Sequence, residues 1–149
     1  MIMATSSNAA PYLQPTQEAG RNFIMKKIPG EVYMLNLLRF REIADYSATP
    51  ELMPLRPVSG AEAFQRYIQH TLPFLRQSGG DITFLGSAGD WLIGPPDERW
   101  DCVMLVRQNS QAAFLAFADN EAYLQGIGHR AAALEDSRLL PITQGDALI

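Results

Sequence analysis

The sequence predicts an α+β domain whose elements follow in the order β-α-β-β-α-β. Three observations carry this reading. The run Val32 to Phe40 is strand-like and largely apolar on both faces. A sharply capped helix follows it after Ser59. Two more strand-like runs and a helical region then lead to a last strand that ends near Ile142.

Length and composition bound the rest. The chain has 149 residues, enough for one domain with a real core rather than two. It is 47% hydrophobic and 19% charged, the balance of a folded globular protein and not of a disordered one. A formal charge of −4 with acids and bases interspersed argues against a nucleic-acid partner, which needs a basic surface. No polybasic cluster suggests an anionic membrane. Cys102 is the sole cysteine, so no internal disulfide is possible. No apolar run approaches the length of about 18 residues that a spanning helix needs. The opening MIMATSSNAAPYLQPT lacks the basic start and apolar stretch of a signal peptide, so a cytoplasmic location is expected.

Residues 1–15 are small, polar and punctuated by proline, and read as a flexible tail or an arm lying on another surface. Residues 16–149 read as the single domain, with an extra N-terminal helix. Thr16 caps that helix, over about residues 17–27, and Pro29-Gly30 ends it. In the first strand, period two sets Val32, Met34, Asn36, Leu38 and Phe40 on one face and Tyr33, Leu35, Leu37 and Arg39 on the other. The long connection over 42–58, with Pro50, Pro54 and Pro57, is either a functional loop or an inert flap. Ser59-Gly-Ala-Glu62 is a capping box, and Phe64, Ile68, Thr71, Leu72 and Leu75 form the stripe of its helix. Pro73 falls opposite that stripe, and Gly79-Gly80 ends the helix. Ile82 to Leu85 opens the second strand, with Trp91 to Ile93 as its continuation, and Gly94-Pro-Pro-Asp97 turns the chain. Asp101 to Arg107 is the third strand. A helix capped by Asn109 or Ser110 follows, then a new cap at Asp119-Asn120 and a helix to about Leu134. Ser137 to Ile142 is the last strand.

This order is the split βαβ, ferredoxin-like pattern: an antiparallel sheet with helices on one face. Strands one and three are apolar on both faces, so the uncovered face needs another layer. An identical sheet from a second chain supplies it most simply, which predicts a face-to-face homodimer.

The segments EVYMLNLLRFRE, SGAEAFQRY, GGDITFLG, WDCVMLVRQNSQAAFLAF and EAYLQGIGHRAAALEDSRLLP, in that order, resemble a domain-of-unknown-function family of the dimeric α/β-barrel superfamily, over about residues 30–142. The resemblance rests on order and spacing rather than on one motif. It implies a dimeric α/β barrel. That superfamily includes cofactor-free monooxygenases, lactone isomerases, stress-response barrels and haem proteins, so the resemblance implies a fold and no particular reaction.

Candidate site residues are few. Asn36 interrupts an apolar strand face, and a buried amide left unpaired costs about 1–3 kcal/mol. It is either a ligand-orienting group in a pocket between sheet and helices or a structural amide bonded to a nearby loop. Arg130 shares a helical stripe with Tyr123, Ile127 and Leu134 if the last helix is continuous. It would bind a carboxylate or enolate, pair with Asp101 or Glu62, or simply be exposed, since Gly126 and Gly128 weaken the phasing. His70 and His129 are the only histidines and are the neutral-pH acid–base candidates, with Asp101 as another base. Tyr67, Trp91 and Trp100 are candidate pocket walls, and Arg39 at the strand end is a further substrate-binding candidate. Two histidines without an acid at ligand spacing predict no metal site. No cofactor is expected, and haem enters only by analogy with the superfamily. Cys102 lies within a strand and reads as a buried hydrophobe. These residues suit a cofactor-free small-molecule enzyme of monooxygenase or isomerase type. The alternatives are a non-catalytic small-ligand-binding module and a structural dimer.

Overall fold

The computed structural model describes residues 10–144. Thr16 caps α1 (Gln17–Met25) by accepting the Ala19 amide. The helix stops at Met25, short of the 27 expected, because Lys27 takes a positive φ of 52° that no helix continues. Then comes β1 (Val32–Phe40). The long connection after it carries one 3-10 turn, Pro50–Leu52, before α2 (Gly60–Gln77). Ser59 Oγ accepts the Glu62 amide at 3.1 Å, the capping half of the box, while the Glu62 carboxylate turns toward Arg66 at 4.0 Å. Ala63, Phe64, Tyr67, Thr71 and Leu75 form the buried stripe of α2, and Pro73 is exposed.

The chain continues through β2 (Asp81–Ser87), β3 (Cys102–Gln108), α3 (Gln111–Ala118), α4 (Glu121–Leu124), α5 (Ile127–Ala133) and β4 (Leu134–Ile142). Two expectations are corrected here. Trp91 to Ile93 do not extend β2; they lie in a loop where Leu92 and Ile93 are almost fully exposed. Pro95 and Pro96 carry no amide for a ladder, so this stretch cannot pair as strand. The last helical region is not continuous to Leu134 either. Asn120 caps α4, the chain breaks at Gly126, and α5 runs directly into β4 at Leu134. Gly126 packs on the His70 ring so closely that a Cβ would collide with it. Leu134 is fully buried and paired with Phe40, which draws the strand start three residues forward of Ser137.

The four strands form one antiparallel sheet in the order β2-β3-β1-β4. Alternation sorts its side chains. Val32, Met34, Leu38, Cys102, Met104 and Val106 turn toward the helices and join Phe64, Tyr67, Phe117, Tyr123 and Ala133 in one core. Tyr33, Leu35, Leu37, Val103 and Leu105 turn the other way and are half-buried. Phe84 and Leu140, their register partners on β2 and β4, are each 58% exposed. The sheet therefore has one helix-covered face and one bare apolar face. Among the described residues no helix is long and apolar enough to cross a membrane.

At the start of α2, Gly60 fills a place where three backbone strands meet. A Cβ there would lie 2.6 Å from the Ala133 carbonyl and 2.7 Å from the Arg41 amide, atoms that cannot swing aside. Gly60→Ala is expected to destabilise the fold by about 1–3 kcal/mol in urea denaturation. Gly20→Ala, in open space on α1, is expected to be neutral or to stabilise by up to about 1 kcal/mol.

Candidate functional site

The sheet register builds the site. On the helix-facing side, Leu85, Met104, Asn36 and Leu139 form one row across all four strands. Asn36 is the polar member of that row and is 6% exposed. Its Nδ2 donates to the carbonyls of Met34 at 3.2 Å and Met104 at 3.4 Å. That fixes the amide, and Oδ1 accepts no hydrogen bond among the described residues.

Ser137 stands opposite Leu38, diagonal to Asn36 on the same face, which puts their Cβ atoms about 7–8 Å apart. The last turn of α5 lays Arg130 over this point. Its Nη1 donates to the Leu13 carbonyl at 2.8 Å and its Nη2 to Ser137 Oγ at 3.4 Å. Neither Asp101 nor Glu62 is its partner, contrary to that expectation: Asp101 is bound to Arg99, and Glu62 faces Arg66. No carboxylate reaches ion-pair distance of Arg130 among the described residues. The Tyr67 and Tyr123 hydroxyls share a hydrogen bond of 2.7 Å inside the same core. Burial, then the Tyr67 partner, raises the Tyr123 pKa far above the usual phenol value, against a lesser pull from the Arg130 charge. The Tyr123 phenol is thus held neutral, and Arg130 is the cation it feels.

The other candidates lie elsewhere. His70 Nε2 meets the carbonyls of Ala122 at 2.9 Å and Tyr123 at 3.1 Å, so it carries the proton and pins α4 to α2. His129 Nδ1 meets the Tyr46 hydroxyl at 2.8 Å, tying α5 to the 42–58 connection. Asp101 accepts the Phe40 amide and the Arg99 guanidinium. Trp100 is buried between the guanidinium groups of Arg39 and Arg138, toward the bare side of the sheet and away from Tyr67. Arg39 itself is paired with Glu135 and Asp136. Trp91 lies in the exposed loop, against a surface cleft of about 370 Å³. A larger cleft of about 470 Å³ is lined by Phe40, Arg41, Glu42, Ile43, Arg99 and Glu135. Neither cleft includes Asn36 or Arg130. Among the described residues no cluster of three His, Cys, Asp or Glu side chains is placed to hold a metal.

Sequence reasoning passed over Ser137 and Tyr46 as site neighbours, and it did not pair Tyr123 with Tyr67. Ser137 carried no signal like that of Asn36, because it stands in the wholly polar stretch Glu135 to Arg138 and nothing local distinguishes it. The partnership with residues 12 and 13 carried no signal, since it joins backbone atoms to side chains more than a hundred positions away.

Comparison with solved structures finds a protein of unknown function from Rhodopseudomonas palustris with 33% sequence identity and a TM-score of 0.81, covering 92% of this chain and 99% of that chain. A methylated form of that protein gives 33% identity and a TM-score of 0.82, covering 93% and 98%. A dimeric ferredoxin-like protein of unknown function from Thermobifida fusca is similar at 13% identity and a TM-score of 0.47, covering 77% of this chain and 92% of that chain, a likeness too slight to carry an argument. No protein-family model and no curated protein matches the chain.

Two groups, half-buried His129 and buried Asp136, shape the pH response. Burial, with the charge of Arg66 and the neighbouring His70, lowers the His129 pKa below its ordinary 6.5. The fold holds the neutral ring, so this contribution is complete above pH 6.5 and shrinks as pH falls from there toward the lowered folded value. Asp136 acts at lower pH. Burial raises its pKa, but the Tyr12 and Ser137 amides and the Arg138 guanidinium outweigh that and hold it below 3.8, so its contribution is lost below that value. Urea midpoints should therefore fall between about pH 7 and about pH 5.5, and His129→Gln should flatten that slope while leaving the steeper loss below about pH 4 in place.

Proposed function

The chain belongs to the family of the Rhodopseudomonas palustris protein, and on that footing we propose that it is a homodimeric binding protein for a small apolar ligand bearing a carboxylate or similar oxyanion. The site lies between sheet and helices. Arg130 and Ser137 supply donors to the acid oxygens, and Asn36 Oδ1 accepts a hydroxyl or N–H elsewhere on the ligand. The observation that carries this reading is the state of Arg130: a half-buried guanidinium with no acidic partner among the described residues, beside a buried amide whose oxygen is unused. A cation so placed lacks the counter-charge that burial calls for, and a ligand carboxylate meets that need.

Catalysis finds less support than binding. A proton-transfer role would fall to His70, His129 or Asp101, and each is engaged in bonds that hold elements together. Tyr123, which feels the Arg130 charge, is held neutral by burial and by its bond to Tyr67. The bare sheet face supports the dimer. In our reading the frame is ferredoxin-like, βαββαβ, and a second copy lays its own Leu35, Leu37, Phe84, Leu105 and Leu140 against this one.

Light scattering during size-exclusion chromatography should give twice the chain mass at micromolar concentration, and Leu35→Asp should give a monomer; a monomeric unsubstituted chain overturns the dimer. Native mass spectrometry of the purified dimer should detect a bound small acid that Arg130→Met and Asn36→Leu both lose. Asn36→Leu should change stability by less than about 1 kcal/mol, because an apolar isostere leaves no orphaned amide. A large loss of stability there would make Asn36 structural.

A further inference from the structure

Residues 10–15 cross the free edge of β4 without joining the sheet. The Tyr12 amide donates to Asp136 Oδ1 at 2.8 Å, and the Ser137 hydroxyl donates to the Tyr12 carbonyl. The next carbonyl, of Leu13, accepts from Arg130, and the Leu13 side chain packs on the core. On the outside, the Arg138 guanidinium lies 4.9 Å over the Tyr12 ring. Two successive backbone carbonyls thus present oxygens to Ser137 and Arg130, the donor pair assigned above to a ligand acid. We propose that this strap is a built-in occupant of the ligand site, and that a carboxylate ligand enters by displacing the Leu13 carbonyl from Arg130. The inference rests on the binding reading and adds to it the route of entry and the element that competes.

The chemistry favours exchange. A carbonyl is a neutral acceptor that takes one N–H of the guanidinium, whereas a carboxylate takes two in parallel and also cancels the charge. The strap has no ladder to break, since the Tyr12 amide and carbonyl are held by side chains rather than by β4 backbone. Its attachments are local, and a segment of this kind opens at a small fraction of the cost of global unfolding. Asn36 and the Tyr67–Tyr123 pair stay in place when the strap lifts, because they are bonded to β1, β3 and each other. Leu139, half-exposed in the row beside Asn36, lies at the same edge and offers an apolar surface to the ligand body.

The test uses the full-length dimer with sodium octanoate as probe and octanamide as the uncharged control. Hydrogen exchange at the Tyr12 amide should speed up on saturation with octanoate and stay unchanged with octanamide. The double variant Tyr12→Gly with Leu13→Gly removes both side-chain anchors of the strap and leaves Arg130 intact. If the strap is closed about nine-tenths of the time, this variant should bind octanoate about tenfold more tightly by calorimetry. Arg130→Met should abolish octanoate binding in either background, with thermal melts confirming that each variant is folded. If Arg130→Met abolishes binding but the strap variant binds no more tightly and Tyr12 exchange does not respond, the strap is a fixed wall and the inference fails alone. If octanoate binds equally well without Arg130, or does not bind even the strap variant, the binding reading fails with it. Should the double variant not fold, the exchange measurement on the unsubstituted dimer decides.

Discussion

The two central strands, β1 and β3, carry apolar side chains on both faces of a sheet whose helices shield one face. Everything else in the molecule accommodates that fact. On the helix side, alternation delivers Val32, Met34, Leu38, Met104 and Val106 to a single core with α2, α3, α4 and α5. Burying one such side chain is worth about 1.5–3 kcal/mol, so this face alone fixes the register: a slip of one residue would turn the whole set outward. The opposite face leaves Phe84 and Leu140 exposed and Leu35, Leu37 and Leu105 half-buried, an apolar surface of the kind that marks an interaction site.

The same strict register makes the polar residues of the core side informative. Asn36 and Ser137 are held on the helix-facing side by the alternation that buries their neighbours, and α5 places Arg130 above them. Buried polar groups usually have their hydrogen bonds met. Asn36 meets half of its need from two strand carbonyls, and Arg130 meets its own from a hydroxyl and the arm. The histidines show the contrasting case. Each spends its hydrogen bond on joining one element to another, and the lowered pKa of His129 follows from burial beside a cation. Each histidine in this fold is thus a fastener.

Legibility in the sequence followed the range of the interaction. Caps were readable at Thr16, Ser59 and Asn120, because each is a bond between residues at most three positions apart. The buried stripe of α2 and the two faces of β1 were readable because periodicity alone sets them. The end of the last helix was misread. The pattern from Tyr123 to Leu134 is apolar at helical spacing, yet Gly126 must sit against His70 and Leu134 must pair with Phe40. Those contacts span tens of residues, and they override local propensity. Trp91 to Ile93 were misread for the converse reason: apolar character suggested a strand, but Gly94-Pro95-Pro96 deprives the stretch of a partner ladder.

The sequence by itself determined most of the strands and helices, which faces of β1 are apolar, and that an amide would interrupt the central strand. Hydrophobic period and capping chemistry are local, and the chain carries them whole. Only the tertiary structure decided the company that amide keeps. It set Ser137 diagonal to Asn36, swung Arg130 away from Asp101 and Glu62, and laid the backbone of Tyr12 and Leu13 across the β4 edge. Those relations depend on strand register and on carbonyl groups that every residue possesses alike, so no side-chain pattern along the chain could have announced them.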